Sequence, residues 1–244
     1  MKAIKILSNW QMYPLLYFGL LKSDPIFLLR NNLKIKLRMN STDFQAFTNV
    51  WILEEYNTHR MQIQENDLVI DVGAHIGLFT IHISQFCKGR IFCYEPVKEN
   101  YDLLSHNINL NKMKNVEIFR KAVTDKSSIV RIFLNSDTAA HSLFVKETEY
   151  EEVESISLQE ILDSNHIQNC NLLKLDCEGC EYMVLNSLPD VYFERIQKIV
   201  MEYHLANQKP HLIRNLIEKL ICLNYEVKVK KKTKDSGLLF AIKK

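Results

Sequence analysis

The chain has 244 residues, 47% apolar and 25% charged, with a formal net charge of +2. This composition fits an ordinary soluble globular protein, one large domain or one domain with an extension, without repeats or low-complexity segments. The near-balance of charge leaves no electrostatic footprint for nucleic acid.

The first segment is basic at Met1-Lys2-Ala3-Ile4-Lys5 and apolar over Leu15–Leu21. Asn9, Gln11 and Pro14 interrupt the apolar run, which is too short to span a membrane and lacks the cleavage site of a signal peptide. It reads as a helix packed on the body or, as the sharper alternative, an interfacial helix in weak contact with lipid. Residues 26–38 read as a hairpin turning at Asn31-Asn32, with Leu33, Ile35 and Leu37 alternating with Lys34, Lys36 and Arg38. Thr42-Asp43 could cap a helix running to about Tyr56. Residues 1–60 are thus expected to form an N-terminal extension of helix, hairpin and helix, and residues 61–244 the main domain.

From residue 67 strands and helices alternate. Strand Asp67–Asp71 leads to a helix over about Gly77–Phe86, and strand Arg90–Glu95 to a helix from Pro96 to Asn111, with proline in its first turn. Val116–Arg120 is a third strand and Val130–Leu134 an edge strand. Leu172–Asp176 precedes a helix over Gly179–Ser187, Ile196–Glu202 is a further strand, and a helix covers about His211–Leu223. Tyr225–Lys230 and Leu238–Ile242 form a closing hairpin. The fold class is therefore α/β, with a mostly parallel sheet covered by helices. Cys87, Cys93, Cys170 and Cys222 read as small core residues, and a reducing, cytoplasmic setting follows. Cys177 and Cys180 form a CxxC with no second Cys or His pair, so no zinc site is expected.

Two of the six glycines lie in Asp71-Val-Gly73-Ala74-His75-Ile-Gly77-Leu-Phe-Thr80, between a strand and a helix. Such a turn brings backbone N–H groups close to a ligand. Acidic residues end four strands, at Asp71, Glu95, Asp176 and Glu202, on the rim where open sheets bind ligands. Glu95, 18 residues past Gly77, is placed to accept both hydroxyls of a ribose. The spacing Gly73-x-x-x-Gly77 departs from the GxGxxG of dinucleotide sites, and His75 stands where a second glycine would be expected. A carboxylate at Asp71 would repel a pyrophosphate and attract a sulfonium or ammonium. These residues favour S-adenosylmethionine over NAD.

The same segments, with Tyr94-Glu95-Pro96, Asn115-Val-Glu-Ile, Lys121-Ala122-Val123, Leu173-Lys-Leu-Asp176-Cys-Glu178-Gly179-Cys-Glu181 and Val200-Met-Glu202-Tyr-His204, resemble the FkbM family of class I S-adenosylmethionine-dependent methyltransferases over about residues 25–205. The resemblance implies a Rossmann-like seven-stranded sheet with an antiparallel last strand. It implies methyl transfer, often to a hydroxyl on a sugar, polyketide or other small metabolite. It places the cofactor's amino acid part at Asp71–Gly77, with Thr80 in the same segment, its ribose at Glu95 beside Pro96, and its adenine near Ala122 and Val123; Asp176 adjoins the cofactor. Ser142, after His141, matches a position where the family often has Ser-Ser-Leu.

A hydroxyl acceptor must lose a proton, and His204, Asp176 and Glu178 are candidate bases. His204 has the most suitable unperturbed pKa. Lys174 reads as structural, and Glu181 as a support for the helix after Gly179. A divalent metal held by Asp176, Glu202 and His204 is a runner-up mechanism, not favoured. Methylation of nitrogen or of a macromolecule is the alternative function, an NAD oxidoreductase a weaker one, and a non-catalytic binding module weaker again. The run Lys228–Lys234 reads as a solvated hairpin edge.

Overall fold

The computed structural model describes residues 2–56, 61–133 and 150–244. The N-terminal segment contributes α1 (Lys2–Ile6), α2 (Met12–Tyr17), a hairpin of β1 (Ile26–Leu28) and β2 (Lys34–Lys36), and α3 (Asp43–Phe47), which continues as a π-helical turn over Thr48–Ile52. Then come β3 (Val69–Val72), α4 (Leu78–Ile83), β4 (Ile91–Tyr94), α5 (Lys98–Leu110) and β5 (Val116–Phe119). β6 (Ala122–Thr124), β7 (Ser128–Phe133), β8 (Tyr150–Ser157) and α6 (Leu158–Ser164) follow. The chain closes with β9 (Leu172–Leu175), α7 (Glu181–Ser187), a 3-10 turn, β10 (Lys198–Tyr203), α8 (Pro210–Cys222), β11 (Tyr225–Lys231) and β12 (Gly237–Lys243).

Strands β3, β4 and β9 are apolar runs buried along their whole length, as a sheet covered on both faces requires. The seven-stranded order is β11-β12-β10-β9-β3-β4-β5. β12 runs antiparallel to both its neighbours, and the pairs from β10 to β5 are parallel. This is the mostly parallel sheet with a reversed last strand that the resemblance implies. Strand order turns back at β3, which lies between β4 and β9, so the ligand crevice belongs at the carboxyl ends of those strands.

Two apolar clusters cover the sheet. One joins α6, α7 and α8 to residues such as Ile70, Phe92, Leu173 and Met201. The other joins Leu7, Phe27, Ile35, Leu37, Phe47 and Trp51 of the N-terminal segment to Val69, Ile81 and Ile91. Each such large side chain contributes about 1.5–3 kcal/mol when removed from water, so this segment is a layer of the fold. Buried Asn107 fixes the hairpin's position: its amide bonds both the N–H and the C=O of Lys36, and Asn111 does the same for Lys34 one turn later.

Several elements differ from expectation. The helix after Thr42 ends at Ile52, and Thr42, with helical rather than extended backbone, makes no side-chain capping bond, while the first-turn Asp43 turns its carboxylate to Arg38. Pro96 precedes α5 and is not part of its first turn: Val97 is extended, its N–H held by Glu95. β7 does not edge the main sheet; it pairs with β8 in a separate sheet of order β6-β8-β7. Cys222 is exposed, because it falls on the outer side of α8's last turn, whereas Cys87, Cys93 and Cys170 are buried.

Candidate active site

A cavity of about 260 Å³ lies at the crevice. Its walls include Gly73, Ala74, His75, Glu95, Pro96, Ala122, Val123, Asp176 and Glu178, nine of the residues expected from sequence. Asp71, Gly77, Thr80 and His204 are not part of the wall. The loop holding His141 and Ser142 lies outside the described residues.

The turn after β3 is built on left-handed backbone. Gly73, His75 and Gly77 have φ of 73°, 51° and 88°. A side chain at Gly73 would collide with the carbonyl of Asp176, so the glycine lets the ends of β3 and β9 close together. The positive φ at non-glycine His75 is strain of the kind that collects at functional sites. It aims the His75 N–H at Glu95 Oε2, 2.8 Å away, while Oε1 accepts from Val97 N–H at 3.0 Å. Even so, burial pushes the Glu95 carboxyl up to about 7. A buried carboxylate held at the cavity wall, its pKa still raised, gains from a ligand bringing two hydroxyls, and the site fits the ribose of S-adenosylmethionine on that ground.

Asp71 lies one layer deeper than expected. It accepts from Thr80 Oγ1 at 2.7 Å and sits 3.1 Å from Lys174 Nζ, so its charge is already met inside the protein. Lys174 also donates to Gly73 O at 2.6 Å. Burial alone would depress its ammonium, but the Asp71 and Asp176 carboxylates hold it above its usual range. Lys174 thereby ties the glycine turn to β9.

On the other side of the cavity stand Asp176, Glu178 and Glu202. Glu178 has φ of 52°, in the turn between β9 and α7. Glu181, wholly buried, accepts from the N–H groups of Cys177 and Gly179 and fixes that turn. His204 lies behind the turn, with Nδ1 3.1 Å from Glu181 and Nε2 3.4 Å from Glu178 and 3.9 Å from Glu202. Burial would lower its pKa, but the hydrogen bond and charge of Glu181, with Glu178 and Asp176, raise it to about 10. Burial, against the pull of His204 and with the charges of Asp176, Glu181 and Glu202, raises Glu178 to about 8. For Asp176 the charges of Lys174 and His204 outweigh burial, and its carboxyl is lowered. Asp176 keeps its charge at the cavity wall, which suits a cationic ligand such as a sulfonium.

Sequence reasoning missed the residues the rest of the chain sends here. Tyr56 donates to Asp176 Oδ2 at 3.0 Å, and Lys232 lies 2.8 Å from Glu202 and 2.7 Å from Glu55. Arg38 grips Asp43 at 2.8 Å and bonds Asn100, and both Arg38 and Asp43 flank the His75 ring. Burial first, and then Arg38, lower that imidazole to about 4 against the pull of Asp43, so it is neutral at physiological pH. No local pattern marks Tyr56. Lys232 was hidden in a basic run, and only the hairpin's closure on β10 reveals its reach.

Known proteins are similar to this chain in sequence and in fold. The methyltransferase sdnD of Sordaria araneosa is 24% identical over 65% of this chain and 73% of its own. The hexuronic acid methyltransferase AglP of Haloferax volcanii is 26% identical over 59% of this chain and 58% of its own. The 31-O-demethyl-FK506 methyltransferase FkbM of Streptomyces tacrolimicus is 23% identical over 61% and 70%. In fold, the chain is similar to M. jannaschii TYW2, crystallised with AdoMet, at a TM-score of 0.51 and 16% identity, covering 91% of this chain and 86% of that one. The description "Methyltransferase FkbM domain" matches residues 71–226, the span that carries the glycine turn, Glu95 and the Asp176–His204 cluster. The chain belongs to the FkbM methyltransferase family and is an S-adenosylmethionine-dependent methyltransferase.

Proposed function

We propose that the protein methylates a hydroxyl of a small metabolite, sugar or lipid-like acceptor, with Glu178 as the proton acceptor. S-adenosylmethionine, when bound, supplies an already activated methyl group. What remains for the chain is to align the acceptor and take its proton. The Glu178 carboxylate would take the acceptor's proton while the cofactor gave up its methyl group and left as the neutral thioether S-adenosylhomocysteine. The observation that carries this reading is that Glu178 lines the cavity whereas His204 stands outside its wall, 3.4 Å from the Glu178 carboxylate, with both groups raised above their ordinary values. A base near the working pH is effective, whereas an imidazole already protonated takes no further proton. His204, first choice on its unperturbed pKa, is therefore assigned to positioning Glu178, and Asp176 with Tyr56 to orienting the acceptor.

An oxygen acceptor is supported by the name of one relative, which acts on 31-O-demethyl-FK506, and a sugar-like acceptor by another, which acts on a hexuronic acid. Transfer of labelled methyl from S-adenosylmethionine across sugar, lipid and polyketide acceptors, with an amine series beside them, tests it. Label found on nitrogen alone would replace it with the N-methylation alternative.

A second reading places a divalent cation on Asp176, Glu178 and His204, whose ligand atoms all lie within 4.8 Å of one another. The cation would take the place of the imidazolium proton. Turnover abolished by a chelator and restored by magnesium would favour it.

A further inference from the structure

Half of the large apolar side chains exposed among the described residues lie in one short stretch. They are Ile4, Leu15, Tyr17, Phe18, Leu20, Ile26 and Leu28, seven of fourteen. Tyr17 and Phe18 are 68% and 69% exposed, their rings edge-on at 5.1 Å. The charge there is one-sided. Residues 1–37 hold six basic groups (Lys2, Lys5, Lys22, Arg30, Lys34, Lys36) against Asp24 alone, and the next, Arg38, is neutralised by buried Asp43. The segment is thus +5 in a chain of +2, and the remainder is −3.

We infer that this face docks on an anionic lipid surface, with Tyr17, Phe18 and Leu20 entering the headgroup boundary and Lys2, Lys5 and Lys22 facing the phosphates. Aromatic and aliphatic side chains beside lysines are the combination that lies in a membrane interface without crossing it. No helix among the described residues is long and apolar enough to cross. Net +5 on a segment of a chain whose remainder is net acidic favours approach by this face.

The placement has a functional consequence. Tyr13 and Tyr17 pack on Phe44 of α3, with ring centroids 4.7 and 6.2 Å apart. The next residues of that helix, Gln45, Ala46 and Asn49, line the catalytic cavity. One helix, about 10 Å wide, therefore separates the docking face from the cavity. An acceptor carrying an apolar anchor would reach the cavity from the bilayer; this consequence rests on the proposed methyl transfer, whereas the docking does not.

The test is co-sedimentation of the full chain with phosphatidylcholine vesicles, with and without phosphatidylserine. It compares the wild type with a Tyr17→Ser, Phe18→Ser, Leu20→Ser variant and a Lys5→Glu, Lys22→Glu variant. The wild type should sediment with the anionic vesicles at low salt and hardly with the neutral ones. Each variant should lose about tenfold or more in partitioning, with an unchanged melting temperature. No sedimentation of the wild type overturns the inference. So does sedimentation undiminished by the three serines, which would show attraction to anionic lipid without entry of Tyr17, Phe18 and Leu20. Cofactor binding does not enter the readout, so failure here is distinct from failure of the methyl-transfer reading.

Discussion

Asp71 and Lys174 are register partners on the adjacent parallel strands β3 and β9, and their charged groups meet at 3.1 Å with both side chains buried. A strand-end carboxylate that reads from sequence as facing a cationic ligand thus serves to lock two strands under it. Lys174→Met would leave Asp71 buried without its cation and should cost about 3–5 kcal/mol in urea unfolding. Adding Asp71→Asn should recover at least ~1 kcal/mol, because the two residues act as a unit. Additive losses in the double variant would contradict the pairing.

Gly73 sits where β3 leaves the sheet, and a methyl group there would strike the Asp176 carbonyl while straining a φ of 73°. Gly73→Ala should destabilise by about 3 kcal/mol or more, through overpacking and backbone strain together. A melting temperature equal to wild type would show that the two strand ends are free to part.

Glu95 gives cofactor binding a pH dependence of known sign. Its folded pKa of about 7 lies above the ordinary carboxylate value, so the free protein loses stability as pH rises from about 4.5 through 7. Hydroxyls donating to the carboxylate favour its charged form, so binding releases a proton below pH 7. Affinity for S-adenosylhomocysteine should rise by up to about tenfold per pH unit below 7 and level off above it. Glu95→Gln should flatten that slope.

Glu178 and His204 separate in the pH profile of turnover. With Glu178 at about 8, kcat/KM should rise with pH through 8. Glu178→Gln should remove the rise and about 10²–10³ of rate. In His204→Ala the loss of the imidazolium should move the rise to higher pH by roughly one unit, with activity regained there. That variant should also cost about 2–3 kcal/mol of stability, since Glu181 loses a charged partner. The imidazolium's share of stability is complete below about 6.5 and is lost as pH rises through about 10. An inactive His204→Ala beside an active Glu178→Gln would return the base role to His204.

The order of strands, the glycine turn and the carboxylates at Glu95, Asp176 and Glu202 were legible because apolar runs bounded by turns carry their own period. The sheet of β6, β7 and β8 was less so: β8 carries Glu151, Glu152 and Glu154, and its apolar contribution is little more than Val153 and Ile156. A signal for the following helix was present and passed over. Ser157 and Glu160 form a reciprocal capping box, spaced as such boxes are. The depth of Asp71, the charge of His204 and the arrival of Tyr56 and Lys232 depend on contacts between distant segments. Asp71 meets Lys174 across 103 residues, and no local pattern carries that information.

Glu95 as the residue that holds the adenosine cofactor in the cavity is tested by calorimetric titration with S-adenosylhomocysteine. The wild type should bind one equivalent per chain. Glu95→Ala should bind about tenfold or more weakly, as expected for the loss of a charge-assisted hydrogen bond, while melting near the wild-type temperature without ligand. No binding by the wild type, or equal binding by the two, would contradict the account.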